Sequence, residues 1–287
     1  MPVEAYELPN GLLGLLVCGG WVTIGVGGYL GFQHWCRHPF AEGEKNLAIA
    51  LLAVIATVNS LLLAFSAVSV WDAYGTADKA VRGEAVTIGA LARNLSLYES
   101  EQALRARDLL GQYAQVIVEE EWPAMRRGEA SDAAWAAHDH VFSAVGHLAP
   151  TTAHESALMP EIWLLTNELL KYRRERLYAS EAAVPATLWV VVIVGTLLTI
   201  GTAYIFPRTP FNTTAVGLLS LSLGLVFFFI VAMDRPFAGT ESITPAPIQS
   251  ALQKMKGWHD TGHAAAPTPP RAPAASQTPK QKPQEKP

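Results

Sequence analysis

Two short clusters of side chains have the residue types and spacing that could support chemistry. Glu119–Glu121 is an acidic triplet, which could act in acid–base catalysis or bind a cation. A charge run near a helix end is more often solvated, and we predict a solvated triplet. His34 and His38 stand four residues apart around Cys36, a spacing that could ligate a transition metal. In a helix, Cys36 would point away from the face that the two histidines share. We therefore interpret these side chains as polar residues at the membrane interface.

A third cluster contains His138, His140 and His147, which we predict to be packed or solvated, with metal binding or pH sensing as the alternative. The chain has no phosphate-cradling glycine loop with a lysine, no GxSxG, no HExxH and no paired CxxC. We therefore predict no enzyme, no catalytic residues, no bound metal and no cofactor.

The composition indicates a membrane protein. Half of the 287 residues are hydrophobic and only 16% are charged, whereas soluble domains carry about 25% charged residues. The formal net charge of −4 argues against a nucleic-acid partner.

Four windows lack Asp, Glu, Lys and Arg and are long enough to cross a bilayer, which takes about 20 residues. This absence argues against a proton relay, because such relays keep ionisable groups in the membrane. It leaves a pore open, since apolar constrictions can gate by dewetting. The windows are Leu8–Cys36, Asn46–Trp71, Ala182–Pro207 and Thr209–Met233.

We therefore predict an all-α membrane protein with four transmembrane helices and a long cytoplasmic helical insertion between the second and third. Gly27 and Gly31, in the first window, predict close helix packing. The expected organisation is a first helix pair (1–71), a cytoplasmic helical domain (72–181), a second pair (182–233), a cytoplasmic segment with an amphipathic helix (234–261) and a disordered Pro-rich tail (262–287).

Lys and Arg near the helix ends predict the orientation. Lys79 and Arg82 follow the second helix, and Arg235 follows the fourth, whereas Arg208 alone occupies the loop between the last two windows. The positive-inside rule predicts that both termini and the middle segment lie in the cytoplasm. We expect the protein in the plasma or inner membrane of the cell.

The middle segment has helical spacing of apolar residues. A helix over 46–120 would be about 110 Å long at 1.5 Å per residue, so we expect a bend or break within it. We expect Trp122-Pro123 to end it, and a further helix over Asp132–Leu148 to begin at Ser131. A basic cluster then precedes the third window, where we predict contact with anionic headgroups or a vestibule wall. Its members are Lys171, Arg173, Arg174 and Arg176.

Several motifs resemble the bestrophin-like domain family of multipass proteins over roughly residues 5–260. They are LLLAFSAVSVWDAY followed by AVRGEA, EEEWPAM, RRERLYAS followed by VPATLW, and DRPFAG. The family is similar to the bestrophins, and this likeness implies a pentameric anion channel whose second transmembrane helix lines a hydrophobic neck. The aromatic end of that helix matches Trp71 and Tyr74, whereas a calcium-binding acidic run after the last span is missing, so we do not predict calcium activation.

The resemblance implies site residues on the second helix and after the fourth. Leu61 and Phe65 are the predicted neck, on a face that also carries Ala53, Thr57 and Val68 at helical spacing. Thr57 and Asn59 are the predicted polar neighbours. The predicted cytoplasmic motif comprises Trp71, Asp72, Tyr74, Asp234, Arg235, Pro236 and Phe237.

Two functions remain open from the sequence. One is a homo-oligomeric channel for small anions in the lipid bilayer. The other is a non-conducting membrane scaffold or sensor, whose cytoplasmic helices bind a partner while the spans only anchor it. A monomer with the neck face buried favours the scaffold.

Overall fold

The computed structural model of the protein describes residues 9–36, 41–98, 100–181, 184–239 and 241–261. All regular structure in these ranges is helical, as the sequence predicted. The predicted tail, 262–287, lies outside the described residues. We number the helices α1 (Asn10–Trp35), α2 (Glu42–Leu97), α3 (Glu101–Val116), α4 (Trp122–Arg126), α5 (Asp132–Gly146), α6 (Ala153–Glu181), α7 (Ala186–Thr202), α8 (Pro210–Met233) and α9 (Ala246–Thr261).

Four of these helices are long and apolar enough to cross a membrane. They are α1, α2, α7 with its 3₁₀ extension to Ile205, and α8, and they coincide with the four windows read from the sequence. Helix α1 pairs with α8, while α2 packs against both α7 and α8. Many large apolar side chains of these spans stay exposed, as expected for surfaces that meet lipid or another subunit.

The 56 residues of α2 form one uninterrupted helix, about 84 Å long at 1.5 Å per residue. The expected break comes after Leu97. Helix α3 then begins from Ser100, whose hydroxyl accepts a hydrogen bond of 3.1 Å from the Ala103 N–H. This cap stabilises the new helix start, because it satisfies one of the first N–H groups.

The expected helix end at Trp122-Pro123 is wrong. A π-helical turn, Ile117–Glu121, leads from α3 into α4, which runs on to Arg126. Pro123 directly follows the π turn, in the first turn of α4, and it lacks the N–H that would donate to the preceding turn. The π turn also buries Glu121, which matters for the site below.

Helix α5 begins where the sequence predicted, with the Ser131 hydroxyl accepting a hydrogen bond from the Ala134 N–H. The part of α2 beyond its membrane segment packs against α6, α3 and α9. Ile88, Leu91, Leu110 and Ile162 belong to the core of this second helical bundle. One helix, α2, therefore belongs to both the membrane part and the second bundle.

Glycines bring α1 close to its neighbours, although not at the predicted positions. A Cβ at Gly25 would overlap Ser220, and one at Gly28 would overlap Tyr204. Gly27 and Gly31 face open space within the chain. The close packing predicted for Gly27 and Gly31 therefore occurs at Gly25 and Gly28 instead.

Candidate functional site

Thr57, Leu61 and Phe65 lie together on one exposed face of α2. Leu61 is 56% exposed and Phe65 is 63% exposed, so the helices of the described ranges leave both largely uncovered. The Thr57 hydroxyl donates to the Ala53 carbonyl of its own helix at 2.7 Å. The face is therefore apolar in character, with its hydroxyl groups already satisfied by backbone.

The same exposed face continues far beyond the membrane segment. Every seventh residue of α2 is exposed from Val58 to Arg93. Seven residues make almost two helical turns, so these positions follow one slowly drifting line along the helix. The members of this line, the α2 stripe, are Val58, Phe65, Asp72, Lys79, Val86 and Arg93.

Asn59 is separated from these residues. Its side chain is 2% exposed and points into the membrane bundle, where its amide donates to the Thr196 hydroxyl of α7 at 3.1 Å. A Cβ at Gly195 would overlap the Asn59 Oδ1 atom. The structure thus brings Thr57, Leu61 and Phe65 together and places Asn59 on the opposite side, as a contact between two spans.

The aromatic residues at the end of the predicted second span have two different surroundings. The Trp71 ring stacks on Phe229 of α8, with centroids 6.5 Å apart, yet it remains largely exposed. Asp72 is exposed beside it. The Tyr74 hydroxyl donates to the Glu241 carbonyl at 3.0 Å. Tyr74 therefore joins α2 to the segment that follows α8.

The residues Asp234 to Phe237 form a buried junction. The Asp234 carboxylate accepts a hydrogen bond of 2.8 Å from the Val184 N–H, just before α7 begins. The Pro236 carbonyl accepts from the Ile243 N–H at 2.8 Å, and Arg235 is half-buried between its buried neighbours. A side-chain bond to Val184 and a backbone bond to Ile243 therefore hold this segment.

Phe237 and Trp122 extend this junction to the second bundle. Their rings meet edge to face with centroids 5.6 Å apart, and the Trp122 indole donates to the Ile243 carbonyl at 3.3 Å. The predicted DRPF motif thus connects the end of α8 to α4 through packing rather than presenting side chains to solvent.

A buried ion-pair network links α2, the π turn and α6. Arg176 Nε lies 2.6 Å from Glu84 Oε2, and Arg176 Nη2 lies 2.7 Å from Glu121 Oε2. Arg173 Nη2 lies 2.6 Å from Glu121 Oε1, and the Tyr113 hydroxyl donates to Glu84 at 2.6 Å. The side chains of the two arginines and two glutamates are completely buried. Their charges balance.

This network controls the protonation of its members. Burial disfavours the charged form of Glu121, but Arg176 and Arg173 outweigh it and lower the pKa of the carboxyl below its ordinary value. For Arg176, burial is likewise outweighed by Glu84 and Glu121, so its pKa is raised. Burial and the charge of Glu84 raise the pKa of the Tyr113 hydroxyl well above its ordinary value. Glu121 and Arg176 therefore stay charged, and Tyr113 stays a hydrogen-bond donor, at neutral pH.

Aromatic rings complete the surroundings of the network. Arg173 lies over the Trp135 ring at 4.0 Å, a cation–π geometry that compensates part of its lost hydration. His138 packs edge-on against Tyr113 and Trp135 and is buried, as predicted by the packed interpretation. Burial lowers the pKa of His138 below 6.5, although Asp139, 3.5 Å from its Nδ1, acts in the opposite direction, while Arg173 lowers it further.

Glu119 and Glu120 are exposed, as predicted, but two sequence predictions fail for other residues at this network. Arg173 and Arg176 do not meet headgroups or line a vestibule, and Glu121 is not solvated, because all three are completely buried. The spacing of these arginines in the sequence could have indicated their burial. Arg173 and Arg176 continue the buried line of α6 that begins with Ile162 and Leu169 at i, i+3 and i, i+4 steps. Cations at core positions require buried carboxylates.

The chemistry of this arrangement is structural. Within the described ranges, no three His, Cys, Asp or Glu side chains are placed to hold a metal ion; His38 lies outside those ranges. The carboxylates of Glu84 and Glu121 are paired with arginines. The network therefore fixes the second bundle to the extension of α2.

These elements define an all-helical, multi-pass membrane protein with four candidate spans. A family model described as the bestrophin-like domain matches residues 19–248. The match covers most of the 287 residues, so the chain belongs to the bestrophin-like family, and the resemblance read from the sequence is confirmed. Neither the curated proteins nor the solved structures gave a match.

Proposed function

We propose that the protein is a homo-oligomeric ion channel, selective for anions, with the α2 face of Thr57, Leu61 and Phe65 lining its constriction. The observation that carries the proposal is the α2 stripe, because the described residues leave one face of this helix uncovered from the membrane segment to the second bundle. Several copies arranged around an axis would bring these faces together.

The chemistry of the face fits an apolar constriction. Leu61 and Phe65 would form rings of large apolar side chains, and such rings gate by dewetting rather than by charge. Lys79 and Arg93 are exposed further along the stripe against the single carboxylate of Asp72. This excess of positive charge at the cytoplasmic mouth would favour anions. Asn59 has no place in this path, since it faces α7; it acts as a contact that orients α2.

Assembly and orientation belong to the same proposal. The family resemblance implies a pentamer, and the distribution of Lys and Arg implies cytoplasmic termini in a cell membrane. The rigid link between α2 and the second bundle, through Arg176 and Glu84, would hold the cytoplasmic part of each copy in line with its constriction.

The test uses the full chain purified in detergent and reconstituted in liposomes. We expect chloride flux, and higher flux with Leu61→Ala or Phe65→Ala because a smaller apolar ring dewets less readily. Leu198→Ala is the matched control, because Leu198 is equally exposed on α7 and should leave flux unchanged. A monomeric particle without anion flux in any condition would overturn the proposal.

A scaffold remains the second candidate because apolar side chains are also exposed outside the membrane segments. Val86 is 72% exposed and Phe142 is 42% exposed, and in this candidate a partner protein covers them. A single low-resolution image of the purified particle separates the two, since subunit number and an axial opening appear together. A monomer that binds a cytoplasmic partner would favour the scaffold.

A further inference from the structure

A narrow crevice lies between α2 and the hairpin of α7 and α8, within the membrane part of the protein. Its volume is about 230 Å³, and its lining is apolar except for Asn212. Asn212 and Leu219 are seven residues apart on α8, so the crevice extends about 10 Å along this helix. The apolar lining residues are Leu52 of α2, Ala203 and Phe206 after α7, and Ala215, Val216 and Leu219 of α8.

The turn between α7 and α8 lies at one end of the crevice and is fixed by side chains. The Asn212 amide donates to the Pro207 carbonyl at 2.8 Å. The Tyr29 hydroxyl of α1 donates to the same carbonyl at 2.9 Å. These bonds tie the turn to α1 and α8, so this end of the crevice has a defined shape.

The same turn is placed to meet lipid headgroups. Trp35 ends α1 and its side chain is 91% exposed, which is typical of a tryptophan at a membrane–water interface. Gln33 donates to the Tyr204 and Phe206 carbonyls at 2.7 Å, so the end of α1 lies beside the turn. Arg208 is exposed in this turn, where its long side chain can reach a headgroup phosphate.

We propose that the crevice holds one acyl chain of an anionic phospholipid, whose phosphate pairs with Arg208. An apolar cavity stays dry and favours a hydrocarbon ligand, and α2 and α8 are candidate membrane spans that lipid chains adjoin. A cation at the membrane surface favours an anionic headgroup over a neutral one. The proposal concerns lipid binding and does not depend on conduction.

A second copy of the chain is the less favoured occupant. Leu52 precedes Leu61 by nine residues on one helix, which is about two and a half turns. Leu52 and the crevice therefore lie on the side of α2 opposite Leu61. Copies that bring their Leu61 faces together around an axis would leave the crevice on the far side of α2.

The test uses the full chain in phosphatidylcholine liposomes that contain phosphatidylglycerol with a photoactivatable diazirine in one acyl chain. We expect labelling of residues 203–219 that saturates and is competed by unlabelled phosphatidylglycerol. Ala215→Phe should lower this labelling by about tenfold, because the ring displaces several methylene groups of the chain. Leu218→Phe is the matched control and should leave labelling unchanged, because Leu218 is exposed on the same helix but does not line the crevice.

A second variant fills the crevice from its other wall. Leu52→Phe places the ring on α2 and should reproduce the loss of labelling, so the result does not rest on how one variant folds. Even labelling along all four spans would overturn the proposal. Full labelling of residues 203–219 in both Ala215→Phe and Leu52→Phe would do the same.

The headgroup is tested with a phosphatidylcholine probe of the same acyl chains. Arg208→Gln should lower the preference for phosphatidylglycerol over this probe by about fivefold. Arg105→Gln makes the same charge change at an exposed position of α3 and should keep the preference. Equal labelling of the wild-type chain by the two probes would overturn the assignment to an anionic lipid.

A crosslinker within the crevice identifies the occupant directly. Ala215→benzoylphenylalanine should give lipid adducts when the reconstituted chain is irradiated. Adducts between two copies of the chain, without lipid adducts, would overturn the proposal in favour of a second copy.

Discussion

Arg176 Nε lies 2.6 Å from Glu84 Oε2, and both side chains are completely shielded from solvent. The two residues are 92 positions apart in sequence and belong to α6 and α2. Because Arg176 also reaches Glu121, one guanidinium joins three elements. A single side chain therefore ties α6 to both α2 and the π turn.

Arg176→Met should destabilise the protein by about 3–5 kcal/mol, because it leaves buried carboxylates without their cation. Thermal unfolding of the purified protein in detergent measures this. Arg82→Met is the control, since its pair with Asp78 is exposed and should cost at most about 1 kcal/mol. Equal, small effects of the two changes would contradict the network's role.

Gly195→Ala should destabilise the membrane part, because the added methyl group overlaps the Asn59 carboxamide. Combining it with Asn59→Ala removes the overlap, so the double variant should be more stable than the sum of the single effects predicts, with a coupling of about 0.5–3 kcal/mol. Thermal unfolding of all four proteins gives the cycle. Simple additivity would show that the contact does not constrain α2.

His138 should make stability depend on pH. Its pKa is lowered in the folded state, so above pH 6.5 both states are neutral and stability is complete. As the pH falls below 6.5, the unfolded chain binds a proton that the folded chain does not, and stability declines.

The measurement is the fall in Tm between pH 7.5 and pH 5.5. It should be smaller in His138→Gln than in the wild-type chain by about 2 °C or more. His140→Gln provides the control, since His140 is exposed on the same helix. If His138→Gln retains the full pH dependence, other groups cause it.

Asp234→Ala should cost about 1–3 kcal/mol, because the partly buried Val184 N–H loses its acceptor. Asp234→Asn keeps an acceptor oxygen and should cost less. The thermal unfolding temperatures of both variants, compared with exposed Asp72→Ala, test this. An effect of Asp72→Ala as large as that of Asp234→Ala would argue against the buried junction.

Much of the architecture follows from sequence alone, because local chemistry specifies it. Long windows without ionisable side chains predict helices in lipid, since every backbone group needs a partner there and a spanning helix supplies one within the segment. Ser131 marks the start of α5 because its hydroxyl satisfies a helix N–H. The motifs around Trp71 and Asp234 also identified the family from the sequence, because each motif is a continuous stretch of the chain.

The rest depends on which helix packs against which. Arg173, Arg176 and Glu121 resemble surface residues until α2 and the π turn enclose them. Asn59 and Leu61 are two residues apart, yet contact with Thr196 directs one inward and leaves the other exposed. Sequence therefore determined the helices and the family. Only the tertiary structure decided which charges are buried and which face of α2 stays uncovered, because both depend on partners distant in the chain.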